Sequence, residues 1–311
     1  MIIAALRRLL PLFLLPALLL PAAALAGPQV LIVTSRAEGA YAETESALKA
    51  RLKDVAPRAE VGTATADEVT AAMLGDSRAI VTIGSQAARI VALAAPRQAV
   101  VHTLLPAATY EQLPPPVKDG AGVTAVLLDQ PAERQIALIR LALPEWKRIA
   151  LISGPGSAAQ VRELATIGRR LGLEARSATV GTDRELYPAL QRVLAEQAVL
   201  IATADAHVFN SFTVQNVLLT AYHHRSPVLG FSAAYVRAGA LLGLYSTPEQ
   251  IATHAAGIVA RALQGAPLPA PSAPAGFEVA VNANVARSLG ISLDAGERLA
   301  AELARQETAR P

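Results

Sequence analysis

Short aliphatic runs rich in Val and Ile recur from residue 29 onward, each ending in glycine or serine and each followed by a longer Ala- and Leu-rich stretch. The first is Gln29–Thr34, closed by Ser35-Arg36-Ala37-Glu38-Gly39, after which a stretch rich in Ala, Leu, Glu and Lys extends to about Val55. The pattern reads as strand, loop, helix. It returns at Ala79–Ile83, with Gly84-Ser85 and a helical stretch to Ala95, and Ala99–Thr103 is the next strand. Gly122–Leu128 follows a loop containing Pro114-Pro115-Pro116, and a helix is expected from Pro131 to Leu143. The series then restarts: strand Arg148–Ser153, turn Gly154-Pro155-Gly156, helix from about Ala158 to Leu171 with Gly172 as its cap, strand Glu174–Val180, helix Arg184–Glu196, strand Ala198–Ala202, helix from about Asn210 to His224, and strand Pro227–Phe231 leading into Ser232 and a helical turn. Strands that alternate with helices in this way make parallel sheets covered by helices. Two successive series predict an α/β protein of two Rossmann-like lobes, with the boundary near Gly122 to Gln130.

The remaining chain adds Gly239–Tyr245 as a strand and a helix from Thr247-Pro248-Glu249 to Gln264, whose Thr and Pro suit a helix start. A Pro-rich loop at Pro267–Pro274, a strand at Phe277–Val281 and a short helix at Ala283–Leu289 come next. If these cross back between lobes, the chain passes a multi-strand hinge three times, which suits a cleft that opens and closes by rotation of rigid halves. The expected division is 27–125 for lobe 1, completed by about 245–276, and 126–244 for lobe 2, completed by about 277–311.

The first residues have a different character. Arg7 and Arg8 precede an apolar run from Leu9 to Ala26 that ends in Ala24-Leu25-Ala26. That order predicts a signal peptide over residues 1–26, cleaved after Ala26, and a periplasmic location. An uncleaved membrane anchor is the other reading, and Pro11, Pro16 and Pro21 count against it. About 285 residues remain, without cysteine, so stability has to come from cores large enough to need no disulfide. The net charge of +3 is spread over scattered basic residues and aromatics are few, which gives no support to a nucleic-acid partner.

Catalytic patterns are absent. The five histidines show no metal-ligand spacing, and the adjacent His223-His224 diverge on a helix. Neither Gly84-Ser85-Gln86 nor Ser153-Gly154-Pro155-Gly156-Ser157 matches G-x-S-x-G, and no phosphate-binding loop follows a strand. Neither an enzyme nor a metal or cofactor is expected. In open α/β sheets, ligands sit beyond the carboxyl ends of the strands, where helix N-termini present free amides. Ser35, Gly84, Ser85, Gln86, Ser153, Asp205 and Ser232 occupy those positions. Each is a ligand contact or merely a cap or turn residue. Asp205 suits an amine or hydroxyl, or else caps a turn, and Tyr41, Tyr235 and Tyr245 wall a pocket or pack in a core.

Five stretches in order carry a resemblance: Ala79–Ala88; Gly122-Val-Thr with Gln135 to Leu143, Pro144 and Lys147-Arg-Ile-Ala-Leu151; Thr203-Ala-Asp205; Pro227–Ser232 with Val236–Ala240; and Phe277–Asn282 with Ala286 to Gly290. Together they resemble the ABC-transporter substrate-binding family with the type I periplasmic-binding-protein fold, the group that includes TrpX-like tryptophan-binding proteins. The resemblance implies a monomeric receptor that closes on a small amino-acid-like, polar or aromatic solute and presents it to an ABC permease and ATPase, meeting the membrane only through them. It places cleft residues at Gly84, Ser85 and Gln86 in the first lobe and at Asp205 and Ser232 in the second. His102–Ala107 lacks the Asp-Pro of similar proteins, and Ala-His follows Asp205 where Asn is common, so an aromatic amino acid is not carried over as the ligand. The alternative is a sensory or partner-binding module of the same fold, marked by a cleft filled with its own side chains and an exposed apolar patch.

Overall fold

The computed structural model describes residues 28–309; the expected signal segment and its cleavage point lie outside them. The described chain opens with β1 (Val30–Thr34), α1 (Gly39–Val55), β2 (Val61–Thr65), α2 (Ala71–Asp76), β3 (Ala79–Ile83), α3 (Ser85–Ala94), β4 (Ala99–Leu105), α4 (Ala107–Glu111) and β5 (Val123–Leu127). These strands form one five-stranded sheet, ordered β2-β1-β3-β4-β5 and parallel throughout. Every residue of β1 and β3 is buried, as expected of central strands covered on both faces. β2, with the sequence VGTAT, is half-exposed at the edge.

The second series contains α5 (Ala132–Ala142), β6 (Arg148–Ser153), α6 (Ala158–Arg170), β7 (Glu174–Thr179), α7 (Asp183–Val193), β8 (Val199–Ile201), α8 (Val214–His223), β9 (Val228–Gly230), α9 (Ala233–Ala238) and β10 (Leu242–Tyr245). The chain ends with α10 (Pro248–Leu263), β11 (Glu278–Val281), α11 (Ala283–Leu289) and α12 (Gly296–Thr308). The second sheet runs β11-β10-β9-β8-β6-β7. It departs from the all-parallel expectation in β11, which returns antiparallel to β10 with Leu242 opposite Val281. On the other edge, Arg148 bridges Glu174 (2.9 Å) and Glu196 (2.8 Å), and Arg176 pairs with the same two carboxylates. Charges along an exposed edge discourage pairing with another chain.

α10 belongs with the first sheet. Its Thr247 caps the Gln250 amide while the Gln250 side chain accepts from the Thr247 amide, a reciprocal cap that starts the helix where the sequence suggests. Ile251, Ala255, Ile258 and Val259 then pack on Val30, Ile32, Val81 and Val101. α12 belongs with the second, where Leu299 and Leu303 join Ile136, Leu151 and Val279. The chain therefore crosses between the two cores three times: after β5, after β10 and after α10. On the third crossing Ser272 pairs beside β5, donating to Ala125 O (3.0 Å) and accepting from Leu127 N (2.9 Å).

One polar cluster ties these crossings together. Gln130 Nε2 donates to Ser246 Oγ (3.0 Å), which donates to Gly276 O (2.6 Å). Arg134, only 7% exposed, donates to Gln130 Oε1 (2.8 Å) and through two nitrogens to Glu307 of α12 (2.6 and 2.8 Å). Its guanidinium also lies 4.2 Å from the centre of the Phe277 ring. A charge this buried is tolerated only when its donors are matched, and the planar fork of arginine matches a carboxylate with two parallel bonds.

Candidate functional site

Helices that follow β3 and β6 start at the carboxyl ends of their sheets and face one another across the gap between lobes. At the end of β3 the backbone turns through Gly84, whose φ of 93° favours glycine. A Cβ there would meet the Tyr41 ring and lie 2.6 Å from Ser35 Oγ. Gly84 has no side chain to cap α3, and Ser35 supplies the cap from the neighbouring strand end, its Oγ accepting from Ala87 N (2.9 Å). The first-turn amides of Ser85 and Gln86 have no acceptor within their own helix. Ser35, Tyr41, Gly84, Ser85 and Gln86 are thus brought together in lobe 1, around a shallow hollow of about 440 Å3.

Ser85 and Arg89, one turn apart on α3, lead from that hollow into a cavity of about 300 Å3 between the lobes. Thr109 and Gln112 extend the lobe 1 wall, Ser157 just before α6 and Gln160 in its first turn face them from lobe 2 with Asp205 and His207, and Asp129 sits on the first crossing. Arg89 forms no ion pair among the described residues.

The two carboxylates of this cavity differ. Asp205 is buried and accepts on one oxygen from Gly154 N (3.0 Å) and Ser157 Oγ, and on the other from His207 N (2.9 Å). Its carbonyl starts the turn that carries Val208 and Phe209. The residue therefore binds the two strand-end loops of lobe 2 to one another while forming part of the cavity wall. Gly154 permits this approach, since a Cβ would lie 2.6 Å from Asp205 Oδ2. Asp129 joins the lobes: Oδ2 accepts from Ala107 N (2.6 Å) at the start of α4, and Oδ1 from Gln160 Nε2 (2.9 Å) on α6. Burial raises the pKa of its carboxyl, the two hydrogen bonds oppose that, and the nearby Glu111 charge adds to the rise.

The other expected residues lie away from the cavity. Ser153 is buried and shares a hydrogen bond with Thr179 (3.0 Å). Ser232 caps α9, accepting from Tyr235 N (3.2 Å). Tyr235 packs in the lobe 2 core, its ring 5.1 Å from Phe231 and 6.4 Å from Phe209, with a hydroxyl that burial leaves unpartnered and with a raised pKa. Tyr245 donates to Glu278 (3.4 Å) at the rim of the second sheet. Arg89, Asp129, Ser157 and Gln160 were not anticipated; the helical spacing of Ser85 with Arg89 and of Ser157 with Gln160 was the available signal. Among the described residues no group of three metal-ligating side chains occurs.

The family model described as "ABC transporter substrate binding protein" matches residues 58–304. No curated protein matches the chain. Among solved structures, a conserved domain protein from Vibrio cholerae is similar at 23% identity and a TM-score of 0.61, covering 88% of this chain and 97% of that one. An ABC domain from Streptococcus pneumoniae in complex with L-Trp has 16% identity and a TM-score of 0.61, with 86% and 96% covered. A ligand-free, open substrate-binding protein with adhesive properties from Clostridium difficile has 15% identity and a TM-score of 0.67, with 86% and 96% covered. At these identities the likeness establishes the fold, which is that of the type I periplasmic binding proteins.

Proposed function

The chain belongs to the ABC transporter substrate-binding protein family, and from that premise we propose that it works outside the cytoplasm as the solute receptor of an uptake system, closing on a small molecule and handing it to a permease and its ATPase. The observation that carries this reading is the open cavity of about 300 Å3 with polar side chains converging from both lobes. An empty gap closes when an occupant makes contacts to both walls that neither wall makes alone.

The chemistry of the walls supports a small polar solute with a carboxylate, of amino-acid type. Arg89 and the N-terminal turn of α3 offer a cation and free amides on one side. Ser157 and Gln160 offer neutral hydrogen-bonding groups on the other. The streptococcal neighbour holds L-Trp, yet His207 is the one aromatic ring lining this cavity, so an indole would find no stacking wall beyond the Tyr41 hollow next to it. Among the described residues no helix is long and apolar enough to cross a membrane.

A thermal-shift screen of amino acids, peptides, nucleosides and sugars tests the reading. A cognate solute at a hundred times its Kd stabilises by about 2.7 kcal/mol, and silence across the whole library would refute it. A second reading, a partner-binding module, draws on one observation: Phe212 is 91% exposed beside Tyr187 and Leu219 on the α7/α8 face. Stabilisation by a solute, together with indifference of that stabilisation to Phe212→Ser, would favour the receptor.

A further inference from the structure

The short helix α4 separates two cavities. Thr109 and Gln112 look into the interlobe cavity, whereas Tyr110 and Leu113 wall another, of about 200 Å3, that lies within lobe 1 under the Pro114–Val117 loop. Val91, Val100 and Val123 complete an apolar lining, interrupted by the His102 ring, the Tyr110 hydroxyl and the exposed Glu111. His102 is 1% exposed in the middle of β4. Its Nδ1 forms a hydrogen bond of 2.7 Å with Thr82 Oγ1, and its ring meets Tyr110 edge-on at 6.1 Å. That bond occupies Nδ1 and leaves Nε2 as the ring's other hydrogen-bonding atom, and the cavity is the open space that His102 borders. Nε2 is not among the wholly buried atoms left without a partner, so it is accessible on the cavity side, where a hydrogen-bonding group can meet it.

We propose that lobe 1 carries a second ligand site, separate from the interlobe cavity, which takes a small uncharged molecule made of one hydrocarbon ring bearing a hydroxyl group, seated with that hydroxyl on His102 Nε2. The size follows from volume: an apolar cavity of about 150 Å3 accommodates a benzene ring, so this one holds a ring and a substituent. The hydroxyl follows from the histidine. Burial pushes the His102 pKa down to about 4, so the ring is neutral at pH 7. A neutral imidazole presents either an N–H or a lone pair at Nε2, according to tautomer. A hydroxyl complements both, while a carboxylate complements only the first and an ammonium only the second. The desolvation that keeps His102 uncharged also excludes an ionic ligand from the same lining.

Phenol is the probe, with benzoate as the charged control. Titrated into the 15N-labelled protein, phenol is expected to give saturable amide shifts around Ala92, Val100 and Val123, and benzoate none there. Ala92→Phe, which fills the cavity from α3, is expected to weaken phenol binding by about tenfold or more. If that variant does not fold, Val117→Trp fills the cavity from the loop side and makes the same test. Three results would each overturn the proposal: no saturation with phenol, undiminished binding in the filled variant, or shifts confined to Ser85, Thr109 and Ser157, which would put the molecule between the lobes.

Discussion

Lowering the pH should destabilise the protein through His102. Folding removes this ring from water in the middle of β4 and leaves it no anionic partner, so desolvation lowers its pKa from 6.5 to about 4. In the unfolded chain the same ring titrates near 6.5. Between those values the unfolded state holds a proton that the folded state refuses, and stability falls as pH falls. The contribution is fully present above pH 6.5 and is drained by about pH 4. At ~1.4 kcal/mol per pH unit, a drop from 6.5 to about 4 amounts to ~3 kcal/mol, a large share of the 5–15 kcal/mol typical of folded proteins. The assay is urea unfolding at steps from pH 7 to pH 4, for the wild type and for His102→Leu. Leucine keeps the bulk and cannot be protonated; it forfeits the Thr82 hydrogen bond, about 1 kcal/mol at every pH. Asp129 and His254 titrate in both proteins, so their effects cancel in the difference. The variant should therefore start less stable and overtake the wild type as the solution is acidified. Two curves that stay parallel across that range would refute the reasoning.

Three further outcomes follow from the geometry. Arg89→Ala should weaken a carboxylate-bearing solute by about 1.5–3 kcal/mol in a calorimetric titration, while the unfolding midpoint of the free protein barely moves, since the side chain is exposed. Gly84→Ala should cost about 3 kcal/mol in a denaturant melt, because a Cβ at φ 93° is strained and presses on Tyr41 and Ser35. Glu307→Gln should cost about 2 kcal/mol by the same measurement, because it takes the charge partner from a buried guanidinium; the figure lies below that for a fully buried pair since Glu307 keeps partial exposure.

The parts of the fold that were legible are those whose sequence signal and structural role coincide. β1 and β3 read as strands because burial on both faces demands unbroken aliphatic runs, and Thr247-Pro248 marked the start of α10 through its cap. β2 passed unnoticed because an edge strand of Val, Gly, Thr and Ala has no such run. α4 is a single turn, too short to carry a period, whereas α12 has a clear amphipathic one, with Leu299 and Leu303 buried one turn apart among charged neighbours, and went unread. The lobe 1 half of the candidate site was readable at Ser35, Gly84 and Ser85, since those residues must end strands and begin a helix. In the lobe 2 half Asp205 was readable at its strand end, but Ser157 and Gln160 were not, because which turn of α6 faces α3 depends on how the lobes meet, and no local pattern encodes that. Tyr235 illustrates the same limit: its place among Phe209 and Phe231 follows from three segments converging in space.

The interleaving of the chain has a consequence for the order of synthesis. The helix that shields one side of the first sheet, α10, comes off the ribosome more than a hundred residues after β5, on the order of ten seconds at ordinary elongation rates. Until then Val30, Ile32, Val81 and Val101 have only Leu48 and Leu52 of α1 to lie against. A nascent first half cannot complete itself ahead of the second, so its folding waits for nearly the whole polypeptide, and a gene cut at the first crossing would leave the first half without α10 while the second half, whose own core residues all follow the cut, would carry α10 with no sheet to cover.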